Sequence, residues 1–191
     1  MQGQHISLWA YSRGEAARDL PYILWRMVEE AGDWDKIVPY NPYDHSTRVE
    51  RHGDLIDFVH WLEAVCVVLI ADNATGDIIG FGWFSDIKNG AGLASIWIAP
   101  AWRGQHSREA VAAGVAFGYE HLGLHTIQAI TPFPVARNLA KRTGFHDVAF
   151  IPKVFGPDVW LLEHVRREGT SPPHNPTPGT LGVGGTEEKR C

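Results

Sequence analysis

Apolar positions along this chain follow two rhythms, one of period two and one of period three to four, and their succession predicts an α/β fold. In HISLWAY (5–11), Ile6, Leu8 and Ala10 alternate with other residues as in a half-buried first strand. Ser12 and Glu15 have capping-box spacing, so a helix is expected to begin there. Leu20, Leu24, Met27, Val28 and Ala31 then recur at helical spacing. Pro21 implies a kink or a fresh helix capped by Asp19, and Gly32 ends it. Residues 33–54 are rich in turn formers and aromatics with neither period, which predicts a long loop. From Asp54 a shorter helix carries Leu55, Phe58, Val59 and Leu62 on one face.

The next segments read as strands. Val65 to Ala71 is a continuous β-branched and apolar run of the kind covered on both faces. DNATGD turns the chain, IIGFGWFSDI continues it as a strand, Asn89-Gly90 makes a hairpin turn, and LASIWIAP closes a three-stranded antiparallel meander at Pro100. A helix follows with Val111, Val115, Tyr119 and Leu122 on one face, and Gly123 is expected to stop it. HTIQAIT reads as a strand, PVARNLAKRT as a short helix ended by Gly144, and FHDVAFIP and DVWLLEHV as closing strands. The predicted order is β-α-α-β-β-β-α-β-α-β-β, an α/β arrangement with a mixed sheet.

Composition narrows the picture. The chain has 191 residues, 45% of them hydrophobic, enough for one core, and its character changes after Glu168. Residues 1–168 are expected to form one domain and residues 169–191, dense in Pro and Gly, a flexible tail. A net charge of −5 argues against a broad nucleic-acid surface, although Arg137, Lys141 and Arg142 suffice for a small phosphorylated ligand. Cys66 lies in an apolar run and Cys191 ends the polar tail, so no disulfide framework is expected. No run reaches the ~18 to 20 apolar residues of a membrane span, and the N-terminal residues do not read as a secretion signal, so a cytoplasmic protein with no membrane partner is expected. His5, His121, His125, His146 and His164 lack metal-ligand spacing, and no metal is expected.

The informative segment is Ile96 to Ala110, IWIAPAWRGQHSREA, where a strand ends at Pro100, turns through Trp102-Arg103-Gly104 and enters a helix. The first turn of a helix leaves about four N–H groups unpaired and carries roughly half a positive charge. Gly104 lets the backbone approach a ligand, Ser107 adds a donor, and Arg103 and Arg108 add charge, so a pyrophosphate fits. An ordinary strand-to-helix turn with solvated arginines is the commoner reading of the same residues, since helix-start signals are frequent.

This segment resembles motif A of the Gcn5-related N-acetyltransferase (GNAT) superfamily, in which the turn amides hold the coenzyme A pyrophosphate. ARNLAKRTGF (136–145) is similar to that family's motif B, and IADNATGDIIGFGWF to the strand pair before motif A. The resemblance runs over about residues 5 to 166. It implies a mixed, mainly antiparallel sheet of six to seven strands flanked by about four helices, with a V-shaped cleft between the motif A strand and the next strand. It also implies acetyl-CoA as acyl donor, bound by Trp97, Ile98, Arg103, Gly104, Gln105, His106, Ser107 and Arg108, and an amine acceptor. Oxyanion stabilisation falls to the amides near Trp97 and Ile98. The family's first helix and following loop border the amine, which directs attention to Tyr40, Tyr43 and Asp44, with Asp35 and His45 beside them; plain packing of the loop's Tyr and Pro residues over the core reads the segment equally well.

The sequence departs from the family pattern at several positions. His106 and Arg108 stand where small residues are expected, Phe133 replaces an Asn, and Ala140 replaces the Tyr that protonates the thiolate. The strand from Leu93 to Ile98 carries no acidic residue. Asp86 is then the first candidate base, followed by Ser95 and His106, each of which also reads as an ordinary turn, strand or helix-start residue. The resemblance implies an N-acetyltransferase working by direct attack on the thioester. A catalytically silent binding module of the same fold and a transferase of longer acyl chains are the alternatives. A homodimer is compatible with the resemblance, but the sequence sets no oligomeric state.

Overall fold

The computed structural model describes residues 5–11, 19–37, 55–152 and 158–166. Its elements run β1 (Ile6–Ala10), α1 (Leu20–Ala31), α2 (Trp34–Ile37), α3 (Leu55–Ala64), β2 (Cys66–Asp72), β3 (Ile78–Lys88), β4 (Ala91–Ile98), α4 (Gln105–Glu120), β5 (Thr126–Thr131), α5 (Pro134–Arg142), β6 (His146–Ile151) and β7 (Val159–Val165), with a 3-10 turn at Pro100–Trp102 between β4 and α4. One seven-stranded sheet has the order β1-β2-β3-β4-β5-β7-β6. Every neighbouring pair is antiparallel except β4 and β5. The mixed, mainly antiparallel sheet flanked by four longer helices is the fold the sequence implies.

Local chemistry explains where these elements stop. Gly32 takes the left-handed conformation (φ 62°) and its N–H returns to Glu29 and Val28. Asn89 (φ 51°) and Gly90 (φ 74°) give the β3–β4 hairpin two successive positive φ values, as a type I′ turn requires. The structure differs from the sequence expectation in three places. The segment after Gly32 holds one helical turn, α2, where only loop was expected, because Trp34 and Ile37 reach the core under α3. Asp19 occupies the N-cap of α1 without a side-chain capping bond. The helix α4 ends at Glu120, three residues before Gly123. The expected capping box at Ser12 and Glu15, and the tail 169–191, lie outside the described residues.

The two faces of the sheet carry different layers. On one face, α1, α2 and α3 pack Leu24, Val28, Ile37, Phe58 and Leu62 over Val67, Phe81, Trp83 and Trp97. On the other, α4 and α5 cover Val68, Phe84, Ile127, Leu162 and their neighbours. Gly118 lets α4 settle closely, since a Cβ there would stand 2.8 Å from Ile127 Cδ1 and 3.1 Å from Phe84 Cε1. Alternation along the strands sends Leu93, Ser95 and Trp97 of β4 toward the α1–α3 face and Ala94, Ile96 and Ile98 toward α4.

Candidate functional site

The pairing of β4 with β5 sets the geometry of the site. The parallel ladder joins Ala91, Gly92 and Leu93 to Thr126, Ile127 and Gln128 and goes no further, while β4 continues to Ile98 and β5 to Thr131. Two neighbouring strands that part in this way leave a V with its apex at Leu93 and Gln128. From Leu93 to Ile98 the open edge is about 17 Å long, at ~3.3 Å per residue.

Peptide orientation shows which groups face this opening. Ala99 N–H donates to Ile79 O at 2.9 Å, so the Ile98 carbonyl, on the other side of the same trans peptide, points away from β3. Arg103 Nε donates to that carbonyl at 3.0 Å. The carbonyls of Trp97 and Ser95 lie toward β3, within 2.3 Å and 3.2 Å of where Cβ atoms on Gly80 and Gly82 would stand. The N–H groups of Ile98 and Ile96 therefore face the V, where β5 has already departed, whereas the Trp97 N–H faces β3. A linear chain carrying amide carbonyls can take the place of the missing strand along this edge.

The turn beyond Ile98 closes one end of the opening. Gly104 is the N-cap of α4 with φ 98° and ψ −114°, a conformation that disfavours any side chain, and a Cβ at that position would meet nothing within 4 Å. Among the described residues no side-chain capping bond is made at this N-cap, and the first turn of the helix holds no acid. Arg108 N–H donates to Gly104 O at 3.3 Å, while Trp102 N–H and Arg103 N–H turn back to Ala99 O and Pro100 O at 2.9 and 3.4 Å. Open space above Gly104 and uncapped amides suit a phosphate group.

The side chains of this turn point elsewhere. The Arg103 guanidinium pairs with Asp33, a carboxylate only 3% exposed that also accepts from Trp97 Nε1 at 3.1 Å. Trp97 itself is buried in the α1–α3 core. His106 turns along the inner side of α4, with Nε2 3.4 Å from Asp72 Oδ1 and its ring edge-on to Trp102 at 5.3 Å. Burial works against the charge on Asp72, but hydrogen bonds from Thr75, His106 and Ala74 outweigh it and hold its pKa below the ordinary value. Gln105 donates to Glu109 Oε1 at 3.0 Å and stands 3.1 Å from His5 Nδ1. Ser107 is half-buried and Arg108 exposed.

The three candidate proton-transfer residues are spread along β4 instead of converging. Asp86 sits near its start, exposed, in the irregularity between Ser85 and Lys88 with φ 51°, on the closed side of the apex. Ser95 lies two residues past the apex, on the open stretch, opposite Trp83 and directed to the α1–α3 face. His106 lies beyond the far end, with Asp72. Tyr40, Tyr43, Asp44 and His45 fall outside the described residues, and only the backbone of Asp35 is described. In motif B, Phe133 is the N-cap of α5 and Ala140 packs beneath that helix against the core. Tyr119, whose pKa burial raises to about 12, bonds His164 Nδ1 at 2.5 Å near the closed end of the sheet.

With this geometry established, comparison with known proteins is decisive at the family level. Residues 13–145 match the acetyltransferase (GNAT) domain family. The chain belongs to this family. It is an N-acetyltransferase with acetyl-CoA as its acyl donor. No curated protein sequence matches it. Among solved structures it is similar to the spermidine N-acetyltransferase of Vibrio cholerae in complex with CoA and spermine, at 19% identity and a TM-score of 0.63, covering 86% of this chain and 97% of that one. A chimera of that enzyme with hSSAT gives 20%, 0.61, 84% and 95% in the same order. A dodecameric form gives 20%, 0.60, 86% and 95%. At such identities the likeness carries the fold.

Sequence reasoning did not single out Asp33, which anchors the turn from below. Its partners Trp97 and Arg103 are 64 and 70 residues away, so no local spacing reveals it. Gln128 and Glu163 were also passed over, although a polar residue inside each of two apolar strands, TIQAIT and VWLLEHV, is a legible signal. Among the described residues no helix is long and apolar enough to cross a membrane.

Proposed function

We propose that the chain transfers the acetyl group of acetyl-CoA to a primary amine by direct attack on the thioester, within the V between β4 and β5. The observation that carries this reading is the open edge of β4, where the N–H groups of Ile96 and Ile98 face away from β3 and the ladder to β5 has ended at Leu93. In this reading pantetheine carbonyls accept from those amides. The pyrophosphate rests on the amides of Gly104 to Ser107, with Arg108 beside it and Arg103 shaping the turn through Asp33. Trp97 supports the strand from beneath and leaves ligand contact to its neighbours. His106, tethered to Asp72, stays beside the phosphate site without covering it.

Direct attack suits the residues present. A thioester is already activated, and an amide donor aimed at the developing oxyanion can supply much of the acceleration through position alone. The amine arrives from the α1–α3 side, where Ser95 borders the opening. Polyamines head the list of acceptors to try, because the similar folds act on spermidine. Peptide N-termini, lysine side chains and aminoglycosides complete it.

The test is thioester consumption over that panel together with calorimetric titration of acetyl-CoA. Saturable binding with turnover of at least one amine is the expected result. Absence of coenzyme binding at tens of micromolar protein would refute the reading. Tight binding with no turnover on any acceptor would restrict the protein to coenzyme recognition.

A further inference from the structure

Strand registers place four polar groups in a row across the sheet at the apex of the V. Ser85 pairs with Leu93, Leu93 with Gln128, Gln128 with Glu163, and Glu163 with His146. Residues directly opposite one another across a ladder share a face. The adjacent positions Ile127, Leu162 and His164 pack toward α4 and α5, and Asp147 bonds Arg137 and Lys141 of α5, so Gln128, Glu163 and His146 point to the other side. This is the face on which Ser95 lies and from which the amine is expected. Over β5, β7 and β6 no described helix covers it.

Glu163 is the acidic member of this row. Its side chain is 25% exposed, with Gln128 Nε2 3.4 Å from Oε1 and His146 Nε2 3.8 Å from Oε2. Neither contact is tight, so both oxygens keep lone pairs for a water or an ammonium group. Strands lie about 4.8 Å apart, which puts the Glu163 Cα roughly 10 Å from β4, close enough for one intervening water to reach a nitrogen at the apex. Asp86 lies next to Ser85 on the closed side of the apex, in the irregular stretch of β3, and His106 lies beyond the other end of β4.

We propose that Glu163 is the residue that draws the cationic amine to the apex and takes its proton. This rests on the acetyl-transfer reading above. The ammonium gives one proton, through a water, to the Glu163 carboxylate. The freed nitrogen then forms a bond to the thioester carbon, the carbon–sulfur bond breaks, and the remaining excess proton goes to the departing thiolate. Glu163 returns its proton to solvent past His146, which is largely exposed. The products are the amide, the free thiol and one proton. Across the sheet the neighbours of Glu163 are the neutral Tyr119 phenol and the Arg166 cation, both on the α4 side.

The experiment compares wild type, Glu163→Gln and Glu163→Asp, using acetyl-CoA with spermine first and then the best amine of the panel. E163Q is expected to lower kcat about a hundredfold at neutral pH, the usual size of a general-base contribution. Its deficit should shrink as rising pH supplies unprotonated amine, and acetyl-CoA affinity should stay within about twofold of wild type, which also reports a folded variant. E163D should recover part of the loss. Equal kcat for E163Q and wild type at neutral pH, or a deficit that is the same at every pH, would overturn the assignment while leaving the acetyl-transfer reading intact. Wild type that neither binds the coenzyme nor turns over would overturn both.

Discussion

Arg103 and Asp33 form an ion pair that ties the turn after β4 to the turn after α1, 70 residues earlier in the chain. Asp33 also holds the indole of Trp97, so one buried carboxylate fixes the end of β4, the start of the turn into α4 and the floor of the aromatic core. The arginine that sequence reasoning set against a pyrophosphate is engaged by the protein itself. In the proposed reading the backbone amides are the groups that meet the ligand.

Replacing Asp33 with Ala strands a guanidinium and an indole N–H. Breaking a buried pair by removing one partner costs about 3–5 kcal/mol, and the 40% exposure of Arg103 lowers the expectation to roughly 2–3 kcal/mol. Urea unfolding of D33A, R103A and the double variant checks this. The double variant should lose less than the sum of the singles.

Gly104→Ala introduces a Cβ at φ 98° and ψ −114°. Since nothing lies within 4 Å of that atom, the penalty is backbone strain, on the order of 1–3 kcal/mol, and relief of the strain must reshape the turn. Calorimetry should show acetyl-CoA affinity falling by about tenfold or more. Unchanged affinity would mean that the phosphates rest elsewhere.

How much of this was legible beforehand depended on the range of the interactions. Strands and helices with strong periods, such as Val65 to Ala71 and the helix bearing Val111 and Val115, appear where the pattern puts them. The V itself was implied only by the resemblance, because the point where β4 and β5 part depends on a parallel register between strands separated by a helix. Asp33 and the tether of His106 to Asp72 depend on contacts between distant segments, and no local spacing encodes them; Glu163 stands out locally as an acid in an apolar strand, but its place beside Gln128 depends on the β5–β7 register.

Asp147 supplies a pH test of motif B. Hydrogen bonds from Arg137 and Lys141 hold its pKa far below the usual carboxylate range. A depressed folded-state value means that the stabilisation is fully present above the unfolded pKa, about 3.9, and is lost as pH falls below it toward the folded value. Wild type should therefore exceed Asp147→Asn in stability by a constant margin from neutral pH down to roughly 4, and the margin should narrow at lower pH. Urea melts of both proteins across that range decide the matter.

The central claim is that the exposed edge of β4 and the start of α4 together hold the coenzyme. The most direct measurement is an amide ¹H–¹⁵N titration of the protein with CoA. The account predicts the largest shifts at Ile96, Ile98 and Gln105 to Ser107, with the Ser95 and Trp97 amides, already directed to β3, moving less. Saturating CoA that leaves Ile96 and Ile98 unperturbed, or that shifts residues of α1 to α3 most, would contradict it.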